Sequence, residues 1–351
     1  MQRYVILLTL LFFFVVFPQG IHALENPLDQ PNNRFGIHVI DENDFSNASN
    51  LVNSSGGEWG YITFVIREDE RDIARWNRAF SRLSSLKLIP IVRLATTNQN
   101  GIWQIPDPNE AIPWARFLSA LNWPVENRYI ILFNEPNHAK EWGGILDPEG
   151  YTRIARIYWQ ELKKASPDFF VLPAALDAAA GNTTATMEQS LFFKKMYQED
   201  DYIFTIFDGL TSHSYPNPGF CASPDATGKS SVRGFEWELS YLESLDLFPD
   251  MPVFITETGW ACNQVNLSDN YSKAFSQAWS HPRIAAVTPF ILNYTTPPFN
   301  KFSWINPQTS EFYPHYQTIM ELPKTKGEPT LTLSSYSTAI SQASAKYSLS
   351  N

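Results

Sequence analysis

Cysteine is nearly missing from this 351-residue chain: two residues, Cys221 and Cys262, are too few for a zinc cluster or an iron–sulfur framework. Charge is scarce as well, at 18% of residues, and it leans negative. The 26 Lys and Arg stand against 36 Asp and Glu, a formal net charge of −10, so a nucleic-acid partner is not expected. Neither His-Glu-x-x-His nor Gly-x-Ser-x-Gly occurs, which removes the zincin and α/β-hydrolase readings. Thr227-Gly-Lys-Ser230 ends like a phosphate-binding loop, but Ser223 stands where the first glycine is required. No metal or organic cofactor is expected. What the chain does hold is apolar and aromatic material: 44% hydrophobic, 15% aromatic and 11 Trp, enough for one large core.

The amino terminus reads as an address. Arg3 precedes an unbroken apolar run over 4–17, which Pro18, Gln19 and Gly20 interrupt before a small residue, Ala23. The run is shorter than the roughly 20 residues that span a bilayer, so 1–23 is expected to be a signal peptide and the mature protein to be secreted without membrane insertion, an uncleaved anchor being the lesser alternative. Residues 24–33 form a lead-in.

From 34 to 322 the chain alternates β-branched runs with amphipathic stretches. Strands are expected near 35–39, 61–66, 88–93, 129–133, 169–173, 209–213, 253–256 and 286–292, with helices near 70–83, 110–121, 148–165, 187–198, 231–245, 269–280 and 312–322. Asp147-Pro148-Glu149 gives the clearest start, an N-cap acid followed by a first-turn proline. Eight strands and seven helices in about 290 residues match the length of an α/β fold of the (β/α)8 TIM-barrel kind, as a single domain, although a doubly wound sheet would give a similar string. Beyond Pro323 the sequence turns Ser/Thr-rich, and 323–351 is expected to be a disordered tail.

Barrels of this kind carry their chemistry at the carboxyl ends of the strands. The fourth expected strand runs into Asn134-Glu135-Pro136, and the seventh into Glu257-Thr258-Gly259-Trp260. Two carboxyl groups should therefore face one cavity, although either glutamate by itself could simply cap a helix.

This pair resembles the clan of retaining (β/α)8-barrel glycoside hydrolases, whose acid/base follows strand four in an Asn-Glu-Pro motif and whose nucleophile follows strand seven. The likeness extends to Arg67, matching the clan's strand-two arginine beside the nucleophile, and to His213-Ser214-Tyr215, matching its His-x-Tyr element. Two positions depart from it: Arg93 stands where some families have His, and Asn293-Tyr294 where a Trp is common.

The resemblance implies an exported, monomeric hydrolase acting on carbohydrate by double displacement, with Glu257 ionised as nucleophile and Glu135 protonated as acid/base. Arg67 and Tyr215 would stabilise the charge on Glu257, and Asn134 would bind the sugar 2-hydroxyl. His213 could hold a hydroxyl or brace Tyr215. Among Trp103, Trp142, Trp260 and Trp304, the last two are expected to stack on sugar rings. His38 on strand one could face the cavity, although such a histidine is more often core. Cys221 and Cys262 could bridge the loops after strands six and seven. A transglycosylase using the same glutamates, or a non-catalytic glycan-binding barrel, would share this pattern.

Overall fold

The computed structural model describes residues 24–247, 250–262 and 266–332. The expected leader, and the part of the expected tail beyond 332, lie outside the described residues. Eight parallel strands occur where they were expected: Gly36–His38, Gly60–Arg67, Leu88–Ala95, Arg128–Ile131, Phe169–Leu172, Leu210–His213, Val253–Glu257 and Ile284–Val287, here numbered one to eight. Strands one to five pair in order as one sheet and six to eight as another. The sheets meet at two seams, each with an isolated parallel bridge: Phe35 with Val287, and Asp177 with His213. The architecture is a (β/α)8 barrel.

Side chains alternate through each strand with period two. On strand two Ile62, Phe64 and Ile66 face the helices, while Tyr61 turns inward with Ile89, Ile91, Tyr129, Ile131, Phe170, Leu172 and Phe254. The Tyr129 ring lies 4.9 Å from Phe170 and 5.4 Å from Phe254, so the barrel below the mouth is filled with aromatic rings. Burying each such ring contributes about 1.5–3 kcal/mol.

The longest helix, Pro148–Ala165, follows strand four. Asp147 accepts from the Gly150 amide at 2.8 Å, and Tyr151, Ile154, Ala155, Tyr158 and Leu162 supply its buried face. It stops at Ser166, which precedes Pro167 and is extended (φ −157°), because proline disfavours helical backbone in the residue before it. A helix after strand one and a hairpin after strand three are among the elements that went unread in the sequence. Helix Phe45–Val52 is only eight residues and Ser/Asn-rich, yet it buries Phe45, Ala48, Leu51 and Val52. A short hairpin, Asn98–Gln99 with Ile102–Trp103, follows strand three.

The expected tail needs correction over 323–332, which returns beneath the barrel. Gly327 and Glu328 donate from their amides to the carbonyls of Glu58 and Pro31, at 3.0 and 2.8 Å, and Leu331 bridges Val125. Leu24, Leu28 and Leu331 cover the inner aromatic cluster from below. A few apolar side chains and paired backbone groups suffice there because they close an otherwise open end. Lys324 caps the last helix, Pro314–Glu321, by donating to the carbonyls of Ile319, Met320 and Leu322. Among the described residues no helix is long and apolar enough to cross a membrane.

Candidate active site

Glu257 reaches the barrel axis through an irregularity. Strand six pairs with strand seven as Leu210 with Val253, Thr211 with Phe254 and Ser212 with Ile255, after which His213 pairs with Glu257 and Thr256 is skipped. Strict alternation would send Glu257 outward with Val253 and Ile255; the bulge turns it inward beside His213. There Arg93 Nη1 donates to Oε1 at 2.6 Å and the Tyr215 hydroxyl to Oε2 at 3.0 Å. Burial by itself would raise the pKa of Glu257, but the His213 and Arg93 charges and the Tyr215 hydroxyl outweigh it and hold the carboxyl at about 2. Tyr215 is held well above its usual range by burial and then by the Glu257 charge, so it remains a donor.

Glu135 is delivered by a turn rather than by the strand. Strand four ends at Ile131, and both Phe133 (φ 74°) and Glu135 (φ 32°) adopt left-handed backbone that non-glycine residues seldom occupy. Glu135 Oε1 lies 2.7 Å from His213 Nδ1. Burial opposes a charged imidazole, but the carboxylates of Glu257 and Glu135 outweigh it and raise the pKa of His213. One atom each from Glu135, His213 and Glu257 lie within 4.8 Å of one another. Such a set could hold a divalent cation, but the Arg93 guanidinium already partners Glu257.

Four expectations change. Arg67 does not meet Glu257: it pairs with Asp69 and Glu70 and is 42% exposed. Register explains this, since Arg93 aligns with Val65, one inward layer below Arg67. Arg93 continues the inward series Ile89, Ile91, so the arginine noted as a departure is the one at the carboxylate. Trp260 and Trp304 are 1% and 0% exposed and pack around Tyr271, in the core behind the site, where no sugar ring can reach them. Cys221 and Cys262 meet side chain to side chain across the loops after strands six and seven, but as two free thiols and not as a bridge. Burial pushes the Cys262 thiol up to about 11, which keeps it protonated, and it donates to the Phe220 carbonyl.

Other expected residues converge on the site. Asn134 Oδ1 accepts from Arg93 Nη1 at 2.6 Å. His38 is fully buried with its Nδ1 4.0 Å from Glu257 Oε1, and neither ring nitrogen has a hydrogen-bond partner. Burial, then the Arg93 charge, pushes its pKa down to about 3, so it is neutral. Three features were missed. Glu141 accepts from Asn134 Nδ2 at 3.3 Å. His138 pairs with Asp177 at 2.8 Å, close to His213. The third is a wall of phenylalanine and tyrosine in place of tryptophan. Tyr215 and Phe290 both pack on Phe302, at 5.6 and 5.8 Å, and Phe299, 43% exposed, packs on Phe290 at 5.9 Å. The density of rings over 290–302 was the available signal.

No family model matches the chain, and no curated protein does. Solved structures do resemble it. A GH128 subgroup II endo-β-1,3-glucanase from Sorangium cellulosum aligns at a TM-score of 0.52 and 15% identity, over 84% of this chain and 98% of that one. The endo-β-1,4-glucanase Xac0029 from Xanthomonas axonopodis pv. citri aligns at 0.53 and 12%, over 82% and 97%. A mannotriose complex of Thermomonospora fusca β-mannanase aligns at 0.51 and 14%, over 82% and 88%. The fold is therefore one shared with (β/α)8 glycoside hydrolases.

Proposed function

We propose that this protein is an exported glycoside hydrolase that cleaves oligo- or polysaccharide with retention of configuration, Glu257 acting as nucleophile and Glu135 as acid/base. The observation that carries the reading is the approach of these two carboxyls within 4.8 Å at the ends of strands four and seven. Retaining enzymes need a gap of roughly 5 Å, whereas an inverting pair leaves room for water at about 6.5–9.5 Å.

In the first step a Glu257 oxygen attacks the anomeric carbon. The bond to the leaving oxygen breaks as that oxygen takes the proton of Glu135, leaving a glycosyl ester on Glu257. In the second step Glu135, now a carboxylate, takes a proton from water, the hydroxide attacks the anomeric carbon, and the ester bond breaks to restore ionised Glu257. Arg93 and Tyr215 favour the charged form before and after the ester. His213, bonded to Glu135, keeps the transferable proton at the cleft. Neutral His38 offers a further polar edge beside Glu257.

A sugar hydroxyl in place of water would give transglycosylation by the same steps. The close approach of the two carboxyls disfavours a non-catalytic glycan-binding barrel. Export rests on the leader motif in 1–23. The test is hydrolysis of laminarin, carboxymethylcellulose and mannan by the secreted protein, with proton NMR of the first product formed. Product of the same anomeric configuration is expected; inverted product, or no release from any substrate including aryl glycosides, overturns the reading.

A further inference from the structure

A third carboxyl stands in the cleft. Glu141 lies in the same loop as Glu135, at the end of the short turn Ala139–Glu141, and its side chain is only 11% exposed. We propose that Glu141 is a positioning residue which, together with Arg93, fixes the Asn134 amide so that one N–H remains for a substrate hydroxyl. The inference rests on the glycosidase reading of Glu135 and Glu257.

A guanidinium only donates and an ionised carboxylate only accepts. Arg93 Nη1 meets Asn134 at Oδ1, 2.6 Å away, and Glu141 Oε2 meets it at Nδ2, 3.3 Å away. Reversing the amide would set Nδ2 against the guanidinium and Oδ1 against the carboxylate, both repulsive. Two neighbours of opposite character therefore select one orientation. Glu141 uses one of the two Nδ2 hydrogens, and the other is left for the 2-hydroxyl, whose hydrogen bond strengthens as the sugar gains oxocarbenium character.

This grip is sensitive to the charge on Glu141. Burial pushes its pKa upward and the nearby Glu135 carboxylate adds to that, while Asn134, Lys140 and Arg93 pull the other way without cancelling it. Lys140 Nζ lies 3.8 Å from Oε1 and its side chain is half exposed. Protonation removes the obligate acceptor, so the amide is held from one end only.

The full chain labelled with 15N-asparagine gives a direct readout, with the Asn134 side-chain amide assigned by its loss in Asn134→Asp. That resonance should titrate with a midpoint above the ordinary glutamate range, and the step should vanish in Glu141→Gln, which keeps an acceptor oxygen but cannot ionise. A step that persists in Glu141→Gln, or an Asn134 amide that does not titrate, overturns the proposal. Kinetically, Glu141→Ala, checked for folding by circular dichroism, should lose about tenfold in kcat/KM, the worth of one oriented hydrogen bond. The probes are 2,4-dinitrophenyl β-cellobioside, β-laminaribioside and β-mannobioside, and the loss should shrink to under about twofold on their 2-deoxy counterparts. Equal loss on both also overturns it. If the parent protein turns over none of these probes and none of the polysaccharides, the glycosidase reading fails while the amide titration still decides the role of Glu141.

Discussion

Nη1 of Arg93 lies 2.6 Å from Oε1 of Glu257, so the end of strand three neutralises the acid at the end of strand seven across the barrel mouth. The same nitrogen reaches Asn134, which joins strand four to the pair. The charge on Glu257 and the orientation of Asn134 are thus set by one guanidinium.

Glu257→Ala should leave a folded protein with turnover reduced by roughly 10⁴-fold or more, the scale of losing an essential nucleophile. With Glu257 held at about 2, its protonation should not limit kcat/KM at any pH well above that value. Residual activity within tenfold of wild type on an aryl glycoside would contradict the assignment.

Arg93→Ala removes a positive charge in contact with Glu257, whose pKa should rise, bringing an acid limb into the pH profile and lowering kcat. Arg67→Ala, on an arginine occupied with Asp69 and Glu70, should change kcat/KM by less than about threefold, as exposed ion pairs contribute little. Side-by-side pH–rate profiles decide between the two arginines.

Glu238 lies behind His213, 1% exposed, with Gln189 donating to Oε1 at 2.6 Å and the Ser212 side chain also close to its carboxyl. Burial raises its pKa from 4.5 to about 7. The unfolded chain releases this proton first, so the contribution of Glu238 to stability is fully present below 4.5 and is lost as pH rises through about 7. Glu238→Gln should therefore gain stability relative to wild type between pH 4 and 8, by up to about 3 kcal/mol, read as a widening Tm difference. A Tm difference independent of pH would refute this.

Trp260→Ala and Trp304→Ala should each cost about 3–5 kcal/mol of stability, because both rings fill the core. Phe299→Ala should leave Tm nearly unchanged and raise KM several-fold, since an exposed ring packed on Phe290, which itself meets His38, offers a stacking face of about 0.5–1.5 kcal/mol. Thermal melts and KM values on a polysaccharide substrate separate the two classes.

The sequence by itself determined the eight strands, since buried parallel strands read as continuous β-branched and aromatic runs, and it determined which strand ends carry acids. It also determined the capped helix after strand four, where Asp147 and Pro148 act locally. It could not determine which side chains meet. Arg67 and Arg93 both end inward-facing series, and only the register of strand two against strand three puts one of them a layer lower, at the carboxylate. Glu257 turns inward only because the pairing with strand six skips Thr256, a relation between segments more than forty residues apart that no local pattern encodes. Trp260 follows Glu257 closely in sequence yet packs behind it, against Tyr271 and Trp279, because burying a large ring outweighs its nearness to the mouth. Local chemistry fixed the elements and their ends, while register, a bulge and core packing, which depend on distant segments, decided which of the candidates form the site.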